Sequence, residues 1–458
     1  MTYLIRRRKT AVLTYFTAAL LAAAAGLITA RAADDGASGY IVKYKEGAAR
    51  LSEDSGVPFD VVSEEEMQRL DSEGLLEWYE PDGEMMLLDD PVTEYSEDKW
   101  DLALVRADAA FRLGGLGQNV RVGVLDSGIN PHEDIAGRLI SGQSYISGGS
   151  SEDTADNYGH GTHVAGLIAG SGKNGCIGAA PGAELVPLKV TDGNGIMVST
   201  VCRAVYGAVN DYDCDILNLS LGVWSEYESL REAVEYAEEK GVVIVSAAGN
   251  NGSRAKVYPA AYDTVIGVGA VDSTGTWFYH SNYNDSVTVT APGVNVRTVG
   301  KYGGYELKTG TSFSTAFAAA AAAVMLSIDS TLTPADIREI ISQTAADKGA
   351  RGYDEYYGAG ILDIGGCADY LAGWRCRLLP VTGAASRILN TAGTETECAY
   401  VLAEYDENGA LVRTTSHDLT IPANGTADIE MPPENTNYGQ FVLSKEMVMP
   451  LAIARKSH

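Results

Sequence analysis

The sequence predicts an α/β protein: a mainly parallel central sheet with helices on both faces, preceded by a small α+β unit and followed by a small β-sandwich-like domain. Three observations predict it. Between residues 99 and 371, short runs rich in Val, Ile and Leu alternate with helical patterns, the mark of successive β–α–β units. Residues 34–98 hold 20 acids against four bases, around one strand-like and one helix-like stretch. Residues 375–458 show short strands and two Asn-Gly turn signals without a convincing helical period.

The chain of 458 residues has room for two or three domains, and 45% hydrophobic residues suffice for a large core. Acids outnumber bases 61 to 34, a net charge of −27. That balance argues against nucleic acid or an anionic membrane surface as a partner. Residues 1–33 carry five bases and no acid. Arg6–Lys9, the apolar Ala11–Thr29 and the small-residue pattern Ala30-Arg31-Ala32 read as a secretory signal peptide. An uncleaved anchor is the alternative, since the apolar stretch is nearly long enough to span a bilayer. Six cysteines match no zinc spacing. Cys202–Cys214 and Cys376–Cys398 are the disulfide pairs close in sequence, with free buried thiols as the other reading.

Tyr40–Tyr44 alternates as a strand, Ser63–Glu66 is a capping box for a helix reaching Asp71, and Leu75–Leu88 offers one or two more strands. A unit of about 50 residues is marginal by itself. The acidic stretch 89–99 reads as an exposed connector. Beyond it come strands at Val120–Leu125, Leu185–Val190, Ile216–Leu221, Val242–Ala247 and Thr264–Val271, and helices at Val164–Gly170, Val198–Val209 and Ser229–Lys240. Thr333-Pro334-Ala335-Asp336 caps and opens a helix to about Ala346. The run Ala316–Val324 is almost pure alanine, the strongest helix former, so Ser312 belongs at or near a helix N-terminus. In the last domain, Ala399–Tyr405 and Leu411–Thr415 flank the turn Asp406-Glu407-Asn408-Gly409, in a module read as structural or docking.

Three clusters in the α/β region carry chemistry. Asp126-Ser127-Gly128 ends an apolar strand, on the edge where active sites form. Gly159-His160-Gly161-Thr162-His163 opens a helix and holds two of only six histidines. The third is Ser312. A serine hydroxyl needs a base to take its proton, an imidazole serves near neutral pH, and a carboxylate holds that imidazole in one tautomer. The strand Val243–Ala247 runs into Ala248-Gly249-Asn250, which brings a side-chain amide to the same edge, able to bind an oxyanion. A metal site on His160 and His163 lacks a third ligand at suitable spacing.

These residues resemble the subtilisin-like serine proteases, the subtilases. The resemblance rests on Val124–Ile129, His160–Gly166, Ser246–Asn250 and Gly310–Ser312, four motifs in the family's order. It implies a subtilase catalytic domain at 99–371, with Asp126 orienting the base, His160 the base, Ser312 the nucleophile and Asn250 the oxyanion donor. It makes His163 a structural residue. By the same resemblance Ser220-Leu221-Gly222 and Ala247-Ala248-Gly249 wall the substrate pocket, and Gly193-Asn194-Gly195 flanks the substrate on the other side. Residues 34–98 become a propeptide, with a connector that the enzyme itself cuts, making the chain a self-processing zymogen. The expected partners are protein or peptide substrates and the chain's own propeptide as inhibitor, with no nucleic acid and no membrane once the signal is removed. No cofactor is required for the chemistry. Asp134 and Asn174 are the candidate ligands of a structural calcium. The chain departs from the family after the nucleophile, where Ser314, Thr315, Ala316 and Phe317 replace the usual Ala, Ser, Pro and His; no catalytic group is touched, and activity is expected to persist. Val223 replaces a common glycine and narrows the neighbouring subsites. Arg254 and Lys256 raise a preference for acidic substrates against solvated loop charges.

Overall fold

The structure, a computed structural model, describes residues 39–45, 48, 57–87, 99–373, 376–382, 385–390, 395–405, 411–422, 425–430, 437–444 and 450–456. The expected signal peptide, most of the expected connector and the turn at 406–409 lie outside the described residues. The chain divides into two compact units, residues 1–83 and 84–458.

The first unit contains strands β1 (Tyr40–Tyr44) and β2 (Asp60–Val62), helix α1 (Glu64–Ser72) and strand β3 (Leu76–Pro81). The antiparallel sheet runs β2-β1-β3. Met67 and Leu70 from the helix meet Val42, Tyr44 and Leu76 from the sheet in a small core. The capping box forms by half. Ser63 accepts the Glu66 N–H at 3.3 Å, while the Glu66 carboxylate turns to Arg69.

The second unit begins with β4 (Glu84–Leu87) and two short helices, α2 (Trp100–Leu104) and α3 (Ala107–Arg112). There follow β5 (Arg121–Asp126), β6 (Gln143–Ser144), α4 (His160–Ala169), β7 (Glu184–Lys189), β8 (Ile196–Met197), α5 (Val198–Asn210), β9 (Ile216–Leu219), β10 (Leu221–Gly222) and α6 (Glu228–Glu239). Then come β11 (Val243–Ala247), β12 (Ile266–Val271), β13 (Val289–Pro292), β14 (Val296–Val299), β15 (Tyr305–Lys308), α7 (Thr311–Ile328), α8 (Pro334–Thr344) and α9 (Ile364–Gly373). Seven strands form one sheet in the order β13-β12-β11-β9-β5-β7-β6, and every pairing is parallel. Its strands are buried almost throughout, which is why they read as continuous apolar runs and not as alternation. Strand order reverses beside β5, so a crevice opens at the carboxyl ends of β5 and β9.

One strand of the sequence reading is interrupted. The run Ile216–Leu221 breaks at Ser220, because β9 ends in the parallel sheet and β10 leaves it to pair antiparallel with β4. Strand β4 in turn pairs antiparallel with β8, giving a small separate sheet β10-β4-β8. The stretch assigned by sequence to the acidic N-terminal unit therefore contributes its last strand to the larger one.

Helix α7 is apolar on every side, and Thr311 through Leu326 are all buried. Among the described residues it is the one helix long and apolar enough to cross a bilayer, yet 89% of it lies inside the domain. Small alanine side chains let α4, α9 and strands β9 and β11–β13 pack close around it. Phe313 and Phe317 fill the larger gaps and are fully buried. Helix α8 starts as its sequence demands: the Thr333 hydroxyl accepts the Asp336 N–H at 3.2 Å and Asp336 Oδ2 accepts the Thr333 N–H at 2.9 Å.

The last strands are β16 (Cys376–Thr382), β17 (Ala385–Asn390), β18 (Thr396–Tyr405), β19 (Leu411–Ile421), β20 (Thr426–Glu430), β21 (Asn437–Ser444) and β22 (Pro450–Lys456). They form two antiparallel sheets, β16-β17-β20 and β19-β18-β21-β22. The expected pairing of the hairpin strands is present, with Tyr405 opposite Leu411.

Candidate active site

Four element ends meet at the carboxyl edge of the parallel sheet: the end of β5, the start of α4, the loop after β11 and the start of α7. Asp126 is the last residue of β5 and His160 the first of α4; both are essentially fully buried. His160 Nδ1 lies 2.8 Å from Asp126 Oδ2 and 2.9 Å from Oδ1. A carboxylate oxygen only accepts, so the proton sits on Nδ1 and Nε2 keeps its lone pair. Gly161 makes this approach possible. A Cβ there would stand 2.2 Å from the Gly128 carbonyl oxygen, which pins the head of α4 against the end of β5.

Asp156, which the sequence reading passed over, sets this geometry. Its Oδ1 accepts the Gly159 and Tyr158 N–H groups at 2.6 and 3.0 Å, and Oδ2 accepts the Thr162 N–H and hydroxyl at 2.9 and 2.6 Å. It thereby caps α4 and suits the positive end of the helix. The Ser127 hydroxyl reaches Asp156 at 2.8 Å and Asp126 at 3.2 Å, and accepts the Gly161 N–H at 3.0 Å. The available signal was an Asp-Asn pair just before the helix, a common capping pattern.

Ser312 is the second residue of α7 and is fully buried. Gly310 caps the helix at φ 143°, a backbone that a side chain would strain. The Ser312 hydroxyl donates to the Ser220 carbonyl at 3.2 Å, and the Ser220 hydroxyl donates to the Ser312 carbonyl at 2.9 Å. The Phe313 ring lies 5.5 Å from the His160 ring, so α4 and α7 meet at their N-termini. Asn250 Oδ1 accepts both the N–H and the hydroxyl of Thr311 at 2.9 Å. A backbone N–H can only donate, which fixes the amide orientation. Its Nδ2 is buried beside the head of α7, with no hydrogen-bond partner among the described residues.

The residues expected to flank a substrate lie around the same edge. Leu221 and Gly222 form β10, Ser220 sits just before it, and Gly193, Asn194 and Gly195 lead into β8. Ala247 ends β11, with Ala248 and Gly249 following; the Gly249 N–H donates to Thr311 Oγ1 at 3.3 Å. Val223 is buried and exchanges backbone hydrogen bonds with Tyr258, both 2.9 Å.

Residues 117–360, more than half of the chain, match the subtilase family. The chain belongs to that family. It is 38% identical over 268 residues to the thermostable alkaline protease of Halalkalibacterium halodurans, covering 58% of this chain and 72% of that one. It is 37% identical over 273 residues to subtilisin DY of Bacillus licheniformis, covering 58% and 96%. A solved protease structure from Pseudoalteromonas arctica superposes with a TM-score of 0.55 at 26% identity, covering 58% of this chain and 94% of that one. The protein is a subtilisin-like serine protease, with the α/β fold of that family and no cofactor in its chemistry.

One expectation carried by the subtilase resemblance does not fit. The Asp134 carboxylate is saturated by donors. Oδ1 accepts the Asn174 N–H at 2.9 Å and the Ser171 hydroxyl at 3.1 Å; Oδ2 accepts the Cys176 N–H and the Tyr305 hydroxyl, both at 2.9 Å. Calcium needs six to eight oxygen ligands, whereas this pocket points hydrogens at the carboxylate, and Asn174 offers its N–H with its side chain exposed. Among the described residues no cluster of three or more His, Cys, Asp or Glu could hold a metal. Burial raises the Asp134 carboxyl, but the hydrogen bonds from Asn174, Cys176, Tyr305 and Ser171 outweigh it and hold the group below its ordinary value. Two results are expected. EGTA leaves the melting temperature unchanged, and Asp134→Asn costs about 3 kcal/mol through orphaned donors. A depressed folded value means the Asp134 contribution is complete above about pH 4 and is lost as pH falls through the folded value. Urea midpoints measured between pH 7 and pH 3 for both proteins check the sign: the gap between them should shrink on the acid side.

His163 is a buried residue in the first turn of α4. Burial, then the Lys308 charge, push its pKa down to about 3, against the pull of Glu306 3.5 Å away. Cys214 is a free buried thiol, so of the two readings left open for Cys202 and Cys214 the disulfide does not form. The alternative pair involves Cys376, whose side chain lies outside the described residues. Burial pushes the thiols of Cys176, Cys214 and Cys367 up to about 12. Arg254 pairs with Glu355, and Lys256 with Asp285 at 2.8 Å, so both cations are committed within the chain.

Proposed function

We propose that this subtilase is a secreted endopeptidase, made as a self-processing zymogen, in which Ser312 attacks the scissile carbonyl. His160 takes the hydroxyl proton on Nε2 and returns it to the leaving amine, while Asp126 stabilises the imidazolium. The Asn250 Nδ2 and the backbone N–H groups at the head of α7 bind the oxyanion. An extended substrate lies against Ser220–Gly222 on one side and Gly193–Gly195 on the other, with Ala247–Gly249 walling the pocket. The N-terminal leader pattern supports export. The acidic unit before the catalytic domain supports a propeptide that inhibits until it is cut.

The observation that carries this reading is the spare Asn250 donor, buried beside the start of a helix whose second residue is Ser312, on the edge where His160 already holds Asp126. A serine-directed phosphonate provides the test. Wild type should take the label and shorten itself on incubation, and Ser312→Ala should do neither. Wild type that stays unlabelled and full length would sink the enzyme mechanism, leaving a peptide-binding relative.

A further inference from the structure

Two buried carboxylates compete for one serine proton behind the imidazole. Asp126 and Asp156 are 0% and 2% exposed, and Ser127 is fully buried within hydrogen-bond reach of both. Its hydroxyl carries a single proton, with Asp156 Oδ1 at 2.8 Å and Asp126 Oδ1 at 3.2 Å as acceptors. The same oxygen accepts the Gly161 N–H at 3.0 Å, which leaves the hydroxyl only the choice between the two acids. One proton makes one good hydrogen bond, and the shorter contact at Asp156 claims it.

Asp156 is surrounded by donors. The N–H groups of Tyr158, Gly159 and Thr162 point at it, and so does the Thr162 hydroxyl, whose oxygen already accepts the Asn130 N–H at 3.0 Å. Such a shell suits a carboxylate, and a charged acceptor holds a hydroxyl proton more strongly than a neutral one. Buried anions need a compensating charge. Lys189, 2% exposed and the register partner of Asp126 on β7, supplies one, donating to the Ala155 carbonyl at 2.5 Å, one residue before Asp156. Asp126 itself accepts the Ser127 N–H at 2.7 Å and the His160 Nδ1–H. We propose that Asp156 is a positioning residue for the reaction: it holds the Ser127 hydroxyl proton off Asp126, so that the Asp126 charge stays directed at His160 as the imidazolium forms. The inference rests on the triad proposed above and adds a residue to its support.

Asp156→Asn removes the charge and keeps the size. The amide oxygen is then a neutral acceptor, Asp126 becomes the anion within reach of the hydroxyl, and the proton turns to it. A hydrogen bond donated into Asp126 draws its charge away from the Nδ1–H and weakens its hold on the imidazolium. The loss falls in kcat, because it is felt only as charge builds on the ring in the transition state.

The test measures kcat and KM of the full chain on one peptide substrate, with the active fraction counted by phosphonate titration, and the low-field proton resonance of the His160 Nδ1–H. Asp156→Asn should lower kcat about tenfold at unchanged KM, the weight of one hydrogen bond to a charged group, and should move the resonance. In a Ser127→Ala background the same substitution should cost about twofold or less, since no hydroxyl is left to turn. An equal loss in both backgrounds assigns Asp156 to the cap of α4 alone and overturns the proposal. An Asp156→Asn enzyme with the kcat and resonance of the wild type overturns it as well. If Asp156→Asn does not fold, Ser127→Ala decides: a resonance in its wild-type place supports the proposal, and a displaced one shows that the hydroxyl serves Asp126 directly and overturns it. A wild type that takes no phosphonate overturns the triad and this inference together, whereas each result above leaves the triad standing.

Discussion

Substituting Ser312 with alanine is expected to lower kcat on a peptide substrate by about a million-fold, the loss known for the nucleophile of subtilisin itself. KM should move little, because the proposed substrate edges at Ser220–Gly222 and Gly193–Gly195 are untouched. His160→Ala should cost about as much, and the double variant no more, since hydroxyl and imidazole act as one unit. Asp126→Asn should cost about ten-thousand-fold: an amide at Oδ2 offers a proton to Nδ1 and turns the imidazole to the wrong tautomer. Residual rates on one substrate, with the active fraction counted by phosphonate titration, check all four. A double variant worse than the single ones by the product of their losses would mean that Ser312 and His160 act independently.

The second large effect belongs to Asn250. Asn250→Leu keeps the shape of the side chain but removes both its donor and the Oδ1 that accepts from Thr311, and kcat should fall about 100- to 1,000-fold, the loss measured for this donor in subtilisin. The geometry explains why the loss should appear in kcat and not in KM. Oδ1 is held at 2.9 Å by both the N–H and the hydroxyl of Thr311, so Nδ2 stands ready before any substrate arrives. It meets charge only when the carbonyl oxygen becomes an oxyanion. A tenfold rise in KM with kcat unchanged would instead assign Asn250 to substrate binding.

The sequence disclosed most of the catalytic fold because its strands are buried on both faces and its helices carry clear apolar periods or, in α8, a capping signal. The apolar run ending at Asp126 and the Thr333-Pro334 start of α8 are local facts that the fold respects. What stayed hidden depends on distance. Ser220 breaks a strand that periodicity reads as continuous, because its neighbours pair with β4, more than 130 residues earlier in the chain. Asp156 looks like an ordinary cap until Ser127 closes the link to Asp126. Asp134 carries the same aspartate that marks calcium in the family resemblance, but the Tyr305 hydroxyl and the 174–176 backbone, unreadable in one dimension, claim its oxygens. For Cys202 and Cys214 the sequence leaves a disulfide and free thiols both open, because closeness in sequence says nothing about whether two side chains face each other; in the fold Cys214 is a free thiol.

Helix α7 joins two properties that many enzymes keep apart. Active sites are commonly built on loops that open at little cost, so catalysis fades before the fold melts. Here Ser312 heads a helix whose next turns are the centre of the molecule, buried from Thr311 to Leu326. Releasing this serine, the proposed nucleophile, from its place would mean unwinding the core. Amide exchange along 311–326 should therefore occur only through global opening, and loss of activity on heating should coincide with loss of the whole fold.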